Sequence, residues 1–148
     1  MESVPARFAR FCELGEDIDN QIQRLEELEA SVGSVGQGPA GSVGHGKGEH
    51  ADRTAYLVVR MEELRERLRE MTEQERAERR ELDALLYTAT PAGFLLSAFE
   101  RAVVQYRCFD RLSWDQMSDA LLRTDRGCRG AFARAMEKLE AHRQSLEA

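Results

Sequence analysis

The chain has 148 residues, 42% of them hydrophobic, 32% charged and only 7% aromatic, and it carries a net charge of −6 from 21 basic and 27 acidic side chains. That length allows one domain, or a small domain with an extended element, and the Leu, Glu, Arg and Ala content favours exposed helices over a thick core. No apolar run reaches the roughly 18 residues of a membrane span, and the opening MESVPARFARFCELGED carries charge in every turn, unlike a secretory leader.

Cys12, Cys108 and Cys128 are far apart and odd in number. They suit neither a zinc knuckle nor a disulfide scaffold, and reduced, mostly buried thiols of a cytoplasmic protein are expected. His45, His50 and His142 form no ligand spacing, so no metal or other cofactor is expected. No Ser-His-Asp or Cys-His grouping, phosphate loop or convergent carboxylate set occurs, and the chain does not read as an enzyme.

Residues 1–32 form the first predicted element. Phe8, Phe11, Ile18, Ile22, Leu25 and Val32 recur at three- and four-residue steps, with Leu14 and Leu28 beside them. This is an amphipathic helix that needs a partner. Residues 33–50 follow, with seven of the 11 glycines and three SVG triplets spanning the boundary at 31, 34 and 42. Lys47 is followed by Gly48 rather than by Ser or Thr, and no strand precedes it, so a flexible linker is expected rather than a nucleotide site.

Residues 51–87 carry the strongest pattern. Leu57, Met61, Leu64, Leu68, Met71, Glu75, Glu78, Leu82 and Leu85 make two interleaved seven-residue series, as in a coiled-coil seam. Two such stripes joined by a linker predict an antiparallel helical hairpin, with dimerisation through the same stripes as the alternative. Glu75 and Glu78 open a polar window, read as a solvated stretch or a partner contact. Residues 88–93, TATPAG, break the helix and read as a hinge.

Residues 94–148 read as three helices. Leu95, Phe99, Ala102, Val103, Tyr106 and Phe109 mark the first. Ser113 with Gln116 three residues on is a capping box, opening a short helix with Trp114, Met117, Ala120 and Leu121 inside. Thr124 is placed to cap the last helix, which buries Cys128, Ala131, Phe132, Ala135, Met136 and Leu139. A short helix, a tight turn and a longer basic helix are helix-turn-helix grammar. Trp114, Tyr106 and Phe132 are expected to anchor this small core rather than to stack on bases. Within 121–138, Arg123, Arg126, Arg129, Arg134 and Lys138 outweigh Asp125 and Glu137. An acidic protein with one basic helix can dock that helix on phosphates without binding nucleic acid indiscriminately.

The stretch AVVQYRCFDRLSWDQMSDALLRTDRGCRGAFARAMEKLE resembles the helix-turn-helix of sigma-factor region four. It is closer still to phage and prophage regulators of the RinA and ArpU type. YRCFDRLSWDQMSD and RAMEKLE match the motifs of those proteins, which also begin with a charged helical pair. The resemblance covers about residues 1–140, and 98–140 is its diagnostic part. It implies a DNA-binding transcriptional regulator in the cytoplasm of a bacterial host, at the nucleoid. The C-terminal helix-turn-helix would enter double-stranded DNA, and the hairpin would serve self-association into a homo-oligomer or contact with bacterial RNA polymerase. Carried over by position, the DNA-binding residues would be Arg123, Thr124, Arg126, Gly127, Arg129, Gly130, Arg134 and Lys138. Relatives carry larger polar residues at the two glycine positions, so modest base reading is expected. Two other readings stand beside it: a small terminase-like packaging subunit, in which the DNA-binding part usually comes first, and a protein-binding module that captures a host factor.

Overall fold

The computed structural model describes residues 2–36 and 47–148, and it is all-α. Helix α1 spans Val4–Gly36 and α2 spans Lys47–Leu86. Two two-residue strands follow, β1 (Ala89–Thr90) and β2 (Gly93–Phe94), then α3 (Ala98–Val104) and a π-helical turn (Gln105–Phe109). Helices α4 (Trp114–Leu121) and α5 (Asp125–Glu147) complete the chain.

Both long helices outrun the expected bounds. The predicted linker 33–50 loses 33–36 to α1 and 47–50 to α2. Its remainder, 37–46, lies outside the described residues. Glycine in a helix costs about 1 kcal/mol relative to alanine, which an already propagating helix tolerates.

The chain forms two compact units. One is Gly15–Gln74, the paired middles of α1 and α2. Ile18 of α1 and Leu57, Met61 and Leu64 of α2 are its buried side chains, and Arg65 pairs with Glu29 at 3.3 Å across the two helices. Ile22, expected inside the stripe, is 42% exposed.

The other unit joins Met1–Leu14 to Glu75–Ala148. The expected boundary at 94 therefore does not separate a hairpin from a C-terminal domain. Val4, Phe8 and Phe11 of α1 and Leu82 and Leu86 of α2 form one core with Leu96, Val104, Cys108, Ala135, Met136 and Leu139. A periodic stripe states that a face is buried and leaves open what buries it. Glu78 of the polar window has its partners in the same unit. Glu78 accepts from Arg7 Nε and Nη2 at 3.1 and 3.0 Å, with Arg10 Nη2 at 3.6 Å, so it is an intrachain ion-pair centre rather than a solvated stretch.

The predicted hinge is tied down. Ala89 pairs with Phe94 and Thr90 with Gly93, and Leu95 N donates to Thr88 O at 2.9 Å. Gly93 has φ 124°, a conformation side-chain-bearing residues rarely adopt, which is why this turn uses glycine.

Helix α3 begins at Ala98 rather than near 94. Its cap is a second capping box: Glu100 N donates to Ser97 Oγ at 3.1 Å, and Ser97 N donates to Glu100 Oε1 at 2.8 Å. The expected apolar face of this helix is divided between two cores. Leu96, Val104 and Cys108 serve the first, while Val103, with Phe99 and Tyr106 beside it, joins Met117, Cys128 and Ala131 in the second.

Candidate nucleic-acid interface

Helix α4 starts as its sequence predicts. Gln116 N donates to Ser113 Oγ at 3.1 Å, and Ser113 N donates to Gln116 Oε1 at 2.9 Å. Met117 is fully buried beneath it. The helix ends at Leu122, whose φ of 52° and ψ of 42° are left-handed, and Ser118 Oγ donates to the Arg123 carbonyl to close the turn. Thr124 is extended, and its hydroxyl accepts from Gly127 N at 3.0 Å, capping α5. The connection between α4 and α5 is thus three residues long and exposed throughout, as is Arg126 after it, so the positive dipole end of α5 lies at an exposed turn.

Cys128, Ala131, Ala135, Met136 and Leu139 turn the other side of α5 inward, as expected. Burial pushes the Cys128 thiol pKa up, and the nearby Asp125 charge adds to that. Trp114 is half-buried and meets Phe132 edge-on at 5.8 Å, the anchoring role its position suggested.

The eight expected DNA contacts divide into distinct environments. Arg126 is exposed in the first turn of α5, and among the described residues it has no hydrogen-bond or ion-pair partner. Arg123 is exposed beside the cap, with its guanidinium 5.0 Å from the Phe99 ring centre. Arg129 donates to Asp125 Oδ1 at 2.8 Å and lies 5.1 Å from the Trp114 ring centre. Arg107, not anticipated as part of this surface, lies 4.7 Å from the same ring and donates to the Leu112 carbonyl at 2.9 Å. Its place could not be read from residue spacing, because the π turn shifts the register that carries it.

Arg134 and Lys138 face a buried acid instead. Lys138 Nζ is 2.7 Å from Glu100 Oε1, and Arg134 Nε is 3.8 Å from Glu100 Oε2, while the Glu100 side chain is only 3% exposed. Burial pushes the Glu100 pKa up, but the Lys138 hydrogen bond and the Ser97 amide and hydroxyl outweigh it and hold the carboxyl below its ordinary range. Both cations stay at the surface, 57% and 42% exposed, and reach inward as counter-ions for a charge that would otherwise be costly to bury.

The glycines have local neighbours as well. A Cβ at Gly127 would sit 3.0 Å from the capping Thr124 oxygen, and one at Gly130 would meet Arg134 Nη1 at 3.3 Å. Position 127 is therefore tight against the cap, and the Arg134 guanidinium folds back beside Gly130.

Among the described residues no three His, Cys, Asp or Glu side chains gather as a metal set, and no helix is long and apolar enough to cross a membrane. Comparison of the chain with protein-family models, curated proteins and solved structures gives no match.

Proposed function

We propose that the chain is a DNA-binding transcriptional regulator of phage or prophage type that docks α5 in the major groove of double-stranded DNA. The observation that carries this reading is the Thr124-capped start of α5. It follows a three-residue turn and presents Arg126 exposed and uncommitted among the described residues. A guanidinium at a helix N-terminus suits a phosphate or a guanine edge. Arg123 and Arg129 flank it, with Arg129 free to exchange its surface bond to Asp125 for a phosphate, since exposed ion pairs are weak. The helical pair of the other unit exposes Ile22, Tyr56, Val58 and Val59, which supports self-association into a homo-oligomer or contact with bacterial RNA polymerase.

A protein-binding module is the second reading. It is favoured by Leu122, 90% exposed at the turn tip, where a left-handed leucine has no packing reason to be.

Fluorescence anisotropy on the chain's own upstream duplex and on scrambled duplex, across a salt series, tests the first reading. Phosphate contacts by Arg123, Arg126 and Arg129 give a slope of log affinity against log salt near −2.7, at about −0.9 per contact. Binding to neither duplex at low salt, with or without RNA polymerase, ends this reading in favour of the second.

A further inference from the structure

Cys12 and Cys108 are 96 positions apart in sequence and neighbours in space. Cys108 is a buried member of the core that joins the start of α1 to the C-terminal helices, and Cys12 packs against that core. Their sequence neighbours Phe11 and Phe109 meet edge-on with ring centres 5.6 Å apart, so the two segments are in register. The Cys12 side chain is near enough to act on the Cys108 thiol, and none of the three cysteines is in a disulfide. Cys12 is half-buried, while Cys108 is 1% exposed in the π-helical turn.

We propose that Cys12 and Cys108 are a two-thiol oxidation site that a peroxide-class oxidant converts into an intrachain disulfide. The two sulfurs divide the work by exposure. Cys12, which solvent can reach, attacks a peroxide oxygen as thiolate. The oxygen–oxygen bond breaks, Cys12 becomes a sulfenic acid, and the departing hydroxide leaves as water with the thiol's proton. Cys108 sulfur then attacks Cys12 sulfur. A sulfur–sulfur bond forms, the sulfur–oxygen bond breaks, and hydroxide leaves as water with the Cys108 proton. In sum two thiols lose two electrons and two protons, and one peroxide becomes two waters.

The neighbouring Cys12 side chain and burial both hold the Cys108 thiol well above the ordinary range, so it resists direct oxidation and resolves slowly. Bond formation brings the sulfurs to about 2.05 Å. The element that gives is the π turn, closed by Asp110 N donating to Gln105 O at 3.1 Å, a wide turn of a kind that recurs at functional sites. Cys128 serves as an internal control: it lies in the other core, with Asp125 and Arg123 as its charged neighbours. The inference is independent of DNA binding.

The test treats the reduced full chain with hydrogen peroxide, denatures it, alkylates the remaining thiols and maps the peptides by mass spectrometry. The expected product has lost two hydrogens and keeps one alkylatable thiol of three, Cys128, with the Cys12 and Cys108 peptides joined until dithiothreitol separates them. Cys128→Ser should still form the bond; Cys12→Ser and Cys108→Ser should not. The oxidised wild type should also melt higher than the reduced form. The proposal is overturned if all three thiols persist, if the linkage runs through Cys128 or between chains, or if Cys12 proceeds to sulfinic acid while Cys108 stays alkylatable. Because the wild-type peptide map decides alone, a poorly folding serine variant does not blunt the test.

Discussion

Replacing Lys138 with alanine separates a structural cation from a DNA-binding one. Lys138 Nζ lies 2.7 Å from a Glu100 oxygen, in a carboxylate that is 3% exposed. Fully buried pairs cost about 3–5 kcal/mol when one partner is removed, and exposed pairs contribute about 0.2–1 kcal/mol. Lys138 is 42% exposed, so solvent screens its half of the pair, and Arg134 at 3.8 Å from the other oxygen takes up part of the charge. The Ser97 amide also remains bonded to Glu100. The loss should therefore be about 2 kcal/mol, and at roughly 3 °C per kcal/mol for a chain of this size the melting temperature should fall by about 6 °C. Glu100→Gln keeps an acceptor for Ser97 and removes the charge that needs Lys138. In that background Lys138→Ala should cost about 1 kcal/mol or less, a coupling that a double-mutant cycle reads directly. Anisotropy on DNA should show an unchanged salt slope for Lys138→Ala. An unaltered melting temperature, or a slope flatter by about 0.9, would refute the assignment of Lys138 to Glu100.

Arg126→Ala should weaken DNA binding and flatten the salt slope by about one unit while leaving the melting curve in place, because Arg126 has no partner to lose among the described residues. Leu64 is 7% exposed between the long helices, and Leu64→Lys should cost about 3 kcal/mol, seen as a lower thermal midpoint by circular dichroism; an unmoved midpoint would show that this face is not packed. Arg143, then the Val4 amide at 2.7 Å, hold Glu140 at about 2 against an ordinary 4.5. A depressed folded pKa stabilises above the unfolded value, so this contribution should be complete above about pH 4.5 and vanish as pH falls toward 2. Glu140→Gln should remove that part of the acid limb in pH-dependent melts, and an identical limb would contradict the assignment. Thr124→Ala should cost about 1 kcal/mol in urea unfolding through loss of the α5 cap, and full retention of stability would count against that cap.

The C-terminal elements were legible because their signals are local. Ser113 with Gln116, Thr124 before α5, and the inward set Cys128, Ala131, Ala135, Met136 and Leu139 each follow from spacing a single helix imposes, and all are found so. Ser97 with Glu100 carries the same capping signal, but Pro91 and Gly93 drew the helix start toward 94. Long-range partners were not legible. Leu82 continues a seven-residue series begun at Met61, yet the two are buried in different units. Arg134 and Lys138 are exposed, as their positions on the helix predict, but nothing in their own helix announces the acid at position 100 that pairs with them. Val104 and Cys108, outside the expected face, are fully buried, while Phe109 packs half-buried against the same core.

The unit that carries α5 is assembled from both ends of the described chain. The Val4 amide donates to Glu140, 136 positions later, and Phe8 lies in one core with Leu139. Contacts of such separation make folding slow, since the intervening chain must be closed into a loop before they form. During synthesis the first turns of α1 emerge early, with Val4, Phe8 and Phe11 still lacking their partners. The Gly15–Gln74 helices can pair while those side chains wait. The core around the Thr124-capped helix is complete only after α5 has left the ribosome, so the order of translation places the closing of this unit after both long helices have formed.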